Sequence, residues 1–281
     1  MKIHEEITSS KHILHLNLKE LWDYRDLLLL FVRRDFVATY KQTVLGPIWF
    51  FIQPIFTTII FTIVFGTLAE ISTDGIPPVL FYMAGITCWN YFSACLTSTA
   101  NTFTANASIF GKVYFPRLIL PLSLIVSNLI KFGIQFTLFF SVLIYYKLTG
   151  YNLSLNSSVL FLPVLILLMG GLGLGFGIII SSLTTKYRDF QFLVGFGVQL
   201  FMYATPVVYP LSLAKEKMGS YFWMAEANPL TSIIESLKSS FLLNQEFDWH
   251  GLLYSFSFMT ILLLVGVIIF NRVEQTFMDT V

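Results

Sequence analysis

Residues 108–121 read SIFGKVYFPRLILP, with two cations, three aromatics and two prolines, set in otherwise uncharged surroundings. The run 75–111 leads into it without a charge, and 118–130 and 132–146 leave it without one. A surface loop of a soluble domain is not bordered in this way, because a soluble surface interleaves polar and apolar positions. The stretch therefore reads as a turn between two membrane segments.

The rest of the chain agrees. Of its 281 residues 56% are hydrophobic and 12% charged, about half the charge of an ordinary globular domain, and its mean hydropathy is +0.73. Further charge-free runs occupy 42–69, 148–185, 190–214 and 251–271. A helix needs about 20 apolar residues to cross the hydrocarbon core. These runs are continuously apolar rather than alternating, which predicts helices and excludes a lipid-facing barrel. The expected fold class is an all-α polytopic membrane protein. Six spans are expected, at about 48–68, 79–100, 118–146, 158–183, 190–208 and 251–270.

Six crossings put both termini on one side, and the cations choose the side. Lys2, Lys11, Lys19, Arg25, Arg33, Arg34, Lys41, Lys112, Arg117, Lys186, Arg188 and Arg272 fall with the termini, whereas Lys147, Lys215, Lys217 and Lys238 fall opposite. Both termini are expected in the cytoplasm, with the 111–117 turn on the inner face. The charged N-terminal segment shows no short apolar core with a small-residue cleavage site, so it is expected to be retained. The expected division is a cytoplasmic segment 1–46, a transmembrane domain 47–271 and a tail 272–281.

Segment 17–41 carries Leu18, Leu21, Trp22, Leu28, Leu29, Val32 and Phe36 at helical spacing, with cations near its end. A basic helix of this kind lies in the headgroup layer, or packs on a partner. Residues 209–250 are too long for a turn. Within them Asn228-Pro229 is a helix-start signal, and Pro229–Leu243 is too short to cross. Two short helices dipping into the outer leaflet are expected there.

The chemistry is sparse. The glycines of GGLGLGFG (170–177) precede Ile178 and Ile179 inside a span, so they predict close helix approach rather than a phosphate loop. Gly111-Lys112 is followed by valine, so no Walker loop is present. Cys88 and Cys95 lie seven apart in one apolar run with no histidine near in sequence. His4, His12 and His15 fall in the polar N-terminal segment without an acidic or cysteine partner pattern, and no metal site is expected. The net charge of +1 argues against nucleic acid. No catalytic group is expected. Asp74, Glu226 and Asp248 show no paired arrangement of the kind a glycan-processing enzyme needs.

One cation stands inside a span. Lys131 is about 20 Å along the third helix, with Asn128 and Gln135 on the same face. An intramembrane lysine is costly and is read first as functional. Either this face lines an aqueous path to an anionic or hydroxyl-rich substrate, or Lys131 is satisfied by carbonyls and by Gln53 or Gln199. Trp49, Trp89, Tyr91, Phe92 and Tyr203 are either stacking surfaces for sugar rings or part of an interfacial belt.

The ordered motifs LWDYRDLLLLFVRRDFVATYKQTVLGPIWFFIQP (21–54) and NASIFGKVYFPRLILP (106–121) resemble the permease subunits of type-2 ABC exporters of polysaccharides and polyol phosphates. VFGTLAEISTDGIPPVLFYMAGITCWNYF (64–92), TKYRDF (185–190), TPVVYP (205–210) and ANPLTSIIES (227–236) extend the likeness from about residue 20 to the last span. The resemblance implies a homodimer of six-helix subunits in a bacterial inner membrane, joined to a separate ATP-binding-cassette ATPase. ATP and magnesium then sit on that partner, and this chain needs no cofactor. It further implies a lipid-linked glycan as cargo, most simply an O-antigen-type chain. A type-2 permease for teichoic acid, drugs or another lipid is the alternative, and a membrane glycan-processing enzyme the distant one.

Within that resemblance, Arg33, Arg34, Asp35, Tyr40, Lys41, Lys112, Tyr114, Phe115, Pro116 and Arg117 are the expected ATPase-coupling residues. The prolines stiffen the turn, Tyr114 and Phe115 anchor, and the cations provide register. A plain positive-inside turn with belt aromatics is the competing reading. Pro206, Pro210, Asn228 and Pro229 are the expected outer gate.

Overall fold

The computed structural model describes residues 18–41, 43–110, 115–151, 153, 156–185, 187, 189–242 and 247–280. Among them there are helices and no strand. Two helices precede the first apolar run, α1 (Leu18–Asp23) and α2 (Arg25–Tyr40), separated at Tyr24 where ψ turns to 15°. Gly46, at φ +53°, and Pro47 then turn the chain into α3 (Trp49–Phe61), which widens into π-type turns over Thr62–Leu68. Pro54 lies inside α3, where it removes one backbone hydrogen bond.

Pro78 opens α4 (Pro78–Ala100), and a short α5 (Thr102–Phe110) follows it. Next come α6 (Ile119–Leu148), which ends before Gly150 at φ +96°, and α7 (Leu162–Thr184). Four shorter helices succeed them: α8 (Phe190–Tyr203), α9 (Leu211–Met218), α10 (Trp223–Glu226) and α11 (Pro229–Phe241). The last is α12 (Trp249–Thr280).

Among the described residues, five helical stretches are long and apolar enough to cross a membrane: Gly46–Leu68, Pro78–Ala100, Ile119–Leu148, Ser157–Thr184 and Trp249–Val273. They coincide with five of the expected spans within a few residues. The remaining one differs. The helix expected over 190–208 stops at Tyr203, and its 14 residues extend about 21 Å against a core of about 30 Å. Thr205–Tyr209 turns instead, because Pro206 and Pro210 cannot continue a helical hydrogen-bond ladder.

α4 is the axis of the bundle. It packs against α7 on one side and α6 on another, and α12 packs behind α7. Lipid offers no hydrophobic drive for helix association, so close approach must come from small residues. The 170–177 glycines supply it. A Cβ on Gly173 would stand 2.6 Å from Cys95 Cβ of α4, and one on Gly177 2.5 Å from Thr99 Cβ. Gly171 and Gly175 face Met259 and Leu262 of α12 instead. One glycine run thus serves two neighbours. Cys88 and Cys95 are free and buried.

α3 and α8 are peripheral. α8 buries no residue, and α3 leaves Trp49, Phe56, Ile59 and Ile60 uncovered. α2 lies against α6 through the buried Phe31 and Val32 and leaves Trp22, Leu29, Leu30 and Val37 exposed. Its apolar residues therefore divide between the bundle and the surroundings. They do not form one stripe.

Candidate functional site

Three regions carry polar or aromatic features beyond helix packing. The first is the end of the bundle where α2 docks. Phe115 is buried between Phe31 of α2, at 5.7 Å between ring centroids, and Phe110 of α5, at 5.9 Å. Phe103 extends the stack to Phe270 of α12 at 4.6 Å. Cations cover this aromatic cluster: Arg34 sits 4.7 Å over Phe31, and Arg117 5.4 Å over Phe110. Arg34 also donates from Nε to Asp35 Oδ1 at 2.8 Å and from a terminal nitrogen to Asn106 Oδ1 at 3.4 Å. These contacts tie α2 to α5.

Of the expected coupling residues, the structure thus brings Arg34, Asp35, Phe115 and Arg117 together, with Pro116 half-buried beside them and Arg33 and Lys41 exposed. Lys112, Tyr114 and the Tyr40 side chain lie outside the described residues. Phe115 does not project as an anchor. It fills a space within its own chain, because an aromatic set against two helices gains more from that burial than from water. Asn106 is a member of the cluster that spacing did not reveal, since it sits at a kink with φ −118° inside α5.

The second region is a polar line inside the bundle. Lys131 Nζ donates to Asn128 Oδ1 at 3.1 Å, and Asn128 Nδ2 donates to Ser98 Oγ of α4 at 2.9 Å. A turn further along, Asn90 Nδ2 donates to Gln135 Oε1 at 3.2 Å. Lys131 also lies 6.0 Å from the Phe50 ring. The helix neighbour that Asn128 reaches is Ser98; the hydrogen bond from Lys131 itself stays within α6. Asn90 and Ser98, eight apart on α4, were the legible sign of a matching face.

The expected stacking aromatics separate into two groups. Trp49 and Tyr203 are exposed. Trp89, Tyr91 and Phe92 are buried and are not open platforms for a sugar ring. Trp89 packs on Phe201 at 6.0 Å, Tyr91 on Phe132 at 5.1 Å and Phe92 on Phe201 at 6.1 Å. They belong to α4, which is enclosed on nearly all sides.

The third region lies at the opposite end of the bundle. Asn228 caps α11, its Oδ1 accepting from Leu230 N at 3.0 Å. Its Nδ2 donates to Thr205 Oγ1 at 2.9 Å, joining the turn after α8 to the start of α11. Pro229 O accepts from Ser255 Oγ of α12 at 2.7 Å. Pro206 O accepts from Lys238 Nζ at 2.7 Å. Pro206, Asn228 and Pro229 thus belong to one network, while Pro210 stands apart as the residue before α9.

Lys238 is the residue that sequence reasoning misplaced. Counted as a loop cation, it is wholly buried, 3.2 Å from Glu235 Oε1 and 3.9 Å over the Phe81 ring. The Glu235/Lys238 spacing of three, in a helix otherwise apolar and serine-rich, was the available signal. Among the described residues no three histidine, cysteine or acidic side chains gather to hold a metal ion.

An all-helical bundle with five lipid-length helices, a polar line through its interior and an aromatic-cationic cap at one end is a multi-pass membrane protein. The sequence profile of the ABC-2 type transporter family matches residues 26–242, and the chain belongs to that family. It is 30% identical over 258 residues to an O-antigen export system permease protein RfbA of Klebsiella pneumoniae, covering 90% of this chain and 94% of that one. Another protein of that description from Klebsiella pneumoniae is 28% identical, over 90% of this chain and 94% of its own length. One from Myxococcus xanthus is 26% identical, over 94% and 98%. Membership makes this chain a transport subunit and implies an ATP-binding-cassette partner in a membrane setting.

Proposed function

We propose that the chain is the permease subunit of an ATP-driven exporter that moves an O-antigen-type, lipid-linked polysaccharide across the cytoplasmic membrane of a bacterium. The observation that carries this reading is similarity over about nine-tenths of the chain to permeases described as O-antigen export proteins. The sequence carries no Walker loop, which supports the reading that ATP and magnesium act on a separate ATPase chain.

In this reading both termini are cytoplasmic. The cytoplasmic segment 1–46, the transmembrane domain 47–271 and the tail 272–281 keep separate roles. α8 completes a sixth crossing together with the turn at Thr205 and α11. Support comes from Asn228, which meets Thr205 and whose neighbour Pro229 meets Ser255, two turns inside α12 rather than at its Trp249 end. α9, α10 and α11 thus leave and re-enter the outer leaflet near the expected gate. The uncovered apolar faces of α3 and α8 suit lipid or a second copy of the chain.

The α2 end is where the partner ATPase docks. Arg33, Lys41 and Arg117 offer charge to it, and the Phe31–Phe115–Phe110 stack keeps α2, α5 and the base of α6 as one rigid unit. A push on that unit reaches Lys131 through α6 without any loop intervening.

Deleting the gene should remove glycan from the cell surface and leave lipid-linked glycan inside, with full recovery on re-expression. Unchanged surface glycan in the deletion strain overturns the reading. Nucleotide hydrolysis or sugar transfer by the isolated chain overturns it as well.

A further inference from the structure

A cavity of about 560 Å³ opens between α9, α11 and the start of α12, within the 300–1,000 Å³ usual for small-molecule sites. Asp74, Glu226, Glu235 and Asp248 stand around its wall, with Lys215 the lining cation. Several of these groups are held in place. Asp74, at φ +52°, accepts from Ser212 Oγ through both carboxylate oxygens at 2.9 Å. Asp248 Oδ1 accepts from Gly251 N at 3.0 Å, and Glu235 is fixed by Lys238 behind it. Tyr254 donates from its hydroxyl to Ala227 O at 2.8 Å, so its ring is oriented while remaining half-exposed.

One residue of the wall is unexplained by the fold. Ser236 is 1% exposed, and its Oγ has no hydrogen-bond partner. A buried hydroxyl without a partner carries a penalty of about 1–3 kcal/mol until something bonds it. Nothing else in α11 needs it there.

The ligand chemistry follows from the wall. Dispersed carboxylates accept strongly from hydroxyl groups, and a spread of acceptors matches a ring of hydroxyls better than a single ion. No three of these acids converge on a point that a cation would occupy. The excess of carboxylate over lysine repels phosphate and uronate groups. The Tyr254 ring offers an apolar plane for sugar C–H faces.

We infer that this cavity is an exit-side subsite for one uncharged sugar unit of the exported glycan. The inference rests on the exporter reading, which puts the cavity on the outer face. It also favours neutral polysaccharide over polyol phosphate as cargo, because every phosphate passing this wall meets like charge.

The test uses the purified full-length chain in lipid nanodiscs and saturation-transfer NMR with methyl α-mannoside, methyl β-galactoside and N-acetylglucosamine. Glucose 1-phosphate, galacturonate and spermidine serve as comparison probes. At least one neutral sugar should receive saturation, and the anionic probes and spermidine should not displace it. Ser236→Ala should weaken that binding about 2- to 10-fold, and Glu226→Gln about 10-fold, without lowering thermal stability. Because the Ser236 hydroxyl has no partner, a purely structural serine predicts no change in binding.

Absence of transfer to all three neutral sugars overturns the inference. So does transfer that both variants leave intact, or displacement by spermidine or glucose 1-phosphate. Loss of surface glycan on gene deletion together with no sugar binding defeats the subsite alone. Retained surface glycan defeats the exporter reading whatever the NMR shows.

Discussion

Replacing Gly173 by alanine tests how the bundle is held together. The new Cβ would stand 2.6 Å from Cys95 Cβ and 3.1 Å from Phe92 O, against about 3.5–4.0 Å for an ordinary carbon contact. α4 and α7 must then part by about 1 Å along the interface that buries Phe92, Cys95 and Leu172. A gap of that size forfeits a quarter to a half of each dispersion contact it opens, and overpacking of this kind costs about 1–3 kcal/mol. Alanine recovers roughly 0.5–1 kcal/mol of helix entropy, leaving a net loss centred on about 1 kcal/mol. The melting temperature of the detergent-purified chain should fall by about 2–4 °C.

Gly195→Ala on α8, where nothing lies within 4 Å, is the matched control and should not lower it. Cys95→Gly removes the atom that Gly173→Ala strikes. The double variant should therefore melt above the sum of the two single effects, with a coupling of about 0.5–3 kcal/mol. Phe92 O remains in the way, so recovery should be partial. Equal melting of Gly173→Ala and Gly195→Ala would refute the reasoning, as would strict additivity in the double variant.

Two further outcomes concern the proposed function. Arg117→Ala should insert and melt normally yet co-purify several-fold less ATPase, whereas Phe115→Ala should lose about 3–5 kcal/mol of stability first, being buried. Undiminished ATPase recovery with Arg117→Ala removes that side chain from the coupling surface. Lys131→Met should reduce glycan export while the chain still reaches the membrane, measured as surface glycan per unit of inserted protein. Full export would leave Lys131 as a structural partner of Asn128 alone.

Much of this architecture was legible in advance, for one reason. Lipid permits few solutions to backbone hydrogen bonding, so an uncharged run of 20 or more residues has little choice but to be a helix. Five of the six expected spans appear where hydropathy put them, and the glycines of 170–177 do pack helices. The Asn228-Pro229 start of α11 was equally readable, because a cap is a local interaction between residues close in sequence.

Hydropathy does not know which neighbour a side chain will meet. Trp89 and Trp49 look alike in sequence, yet α4 is enclosed while the chain around Trp49 is not, so one is packed and the other exposed. The Glu235/Lys238 spacing hinted at a pair on one helix, but the burial of Lys238 waited on Pro206 O and the Phe81 ring, which come to it from other parts of the chain. Phe115 turned inward because Phe31 of α2, 84 residues away in the chain, closes over it beside Phe110. Local pattern and solvent preference set where the helices are; the assignment of each polar or aromatic group to core, cavity or surface waited on long-range contacts that no local window contains.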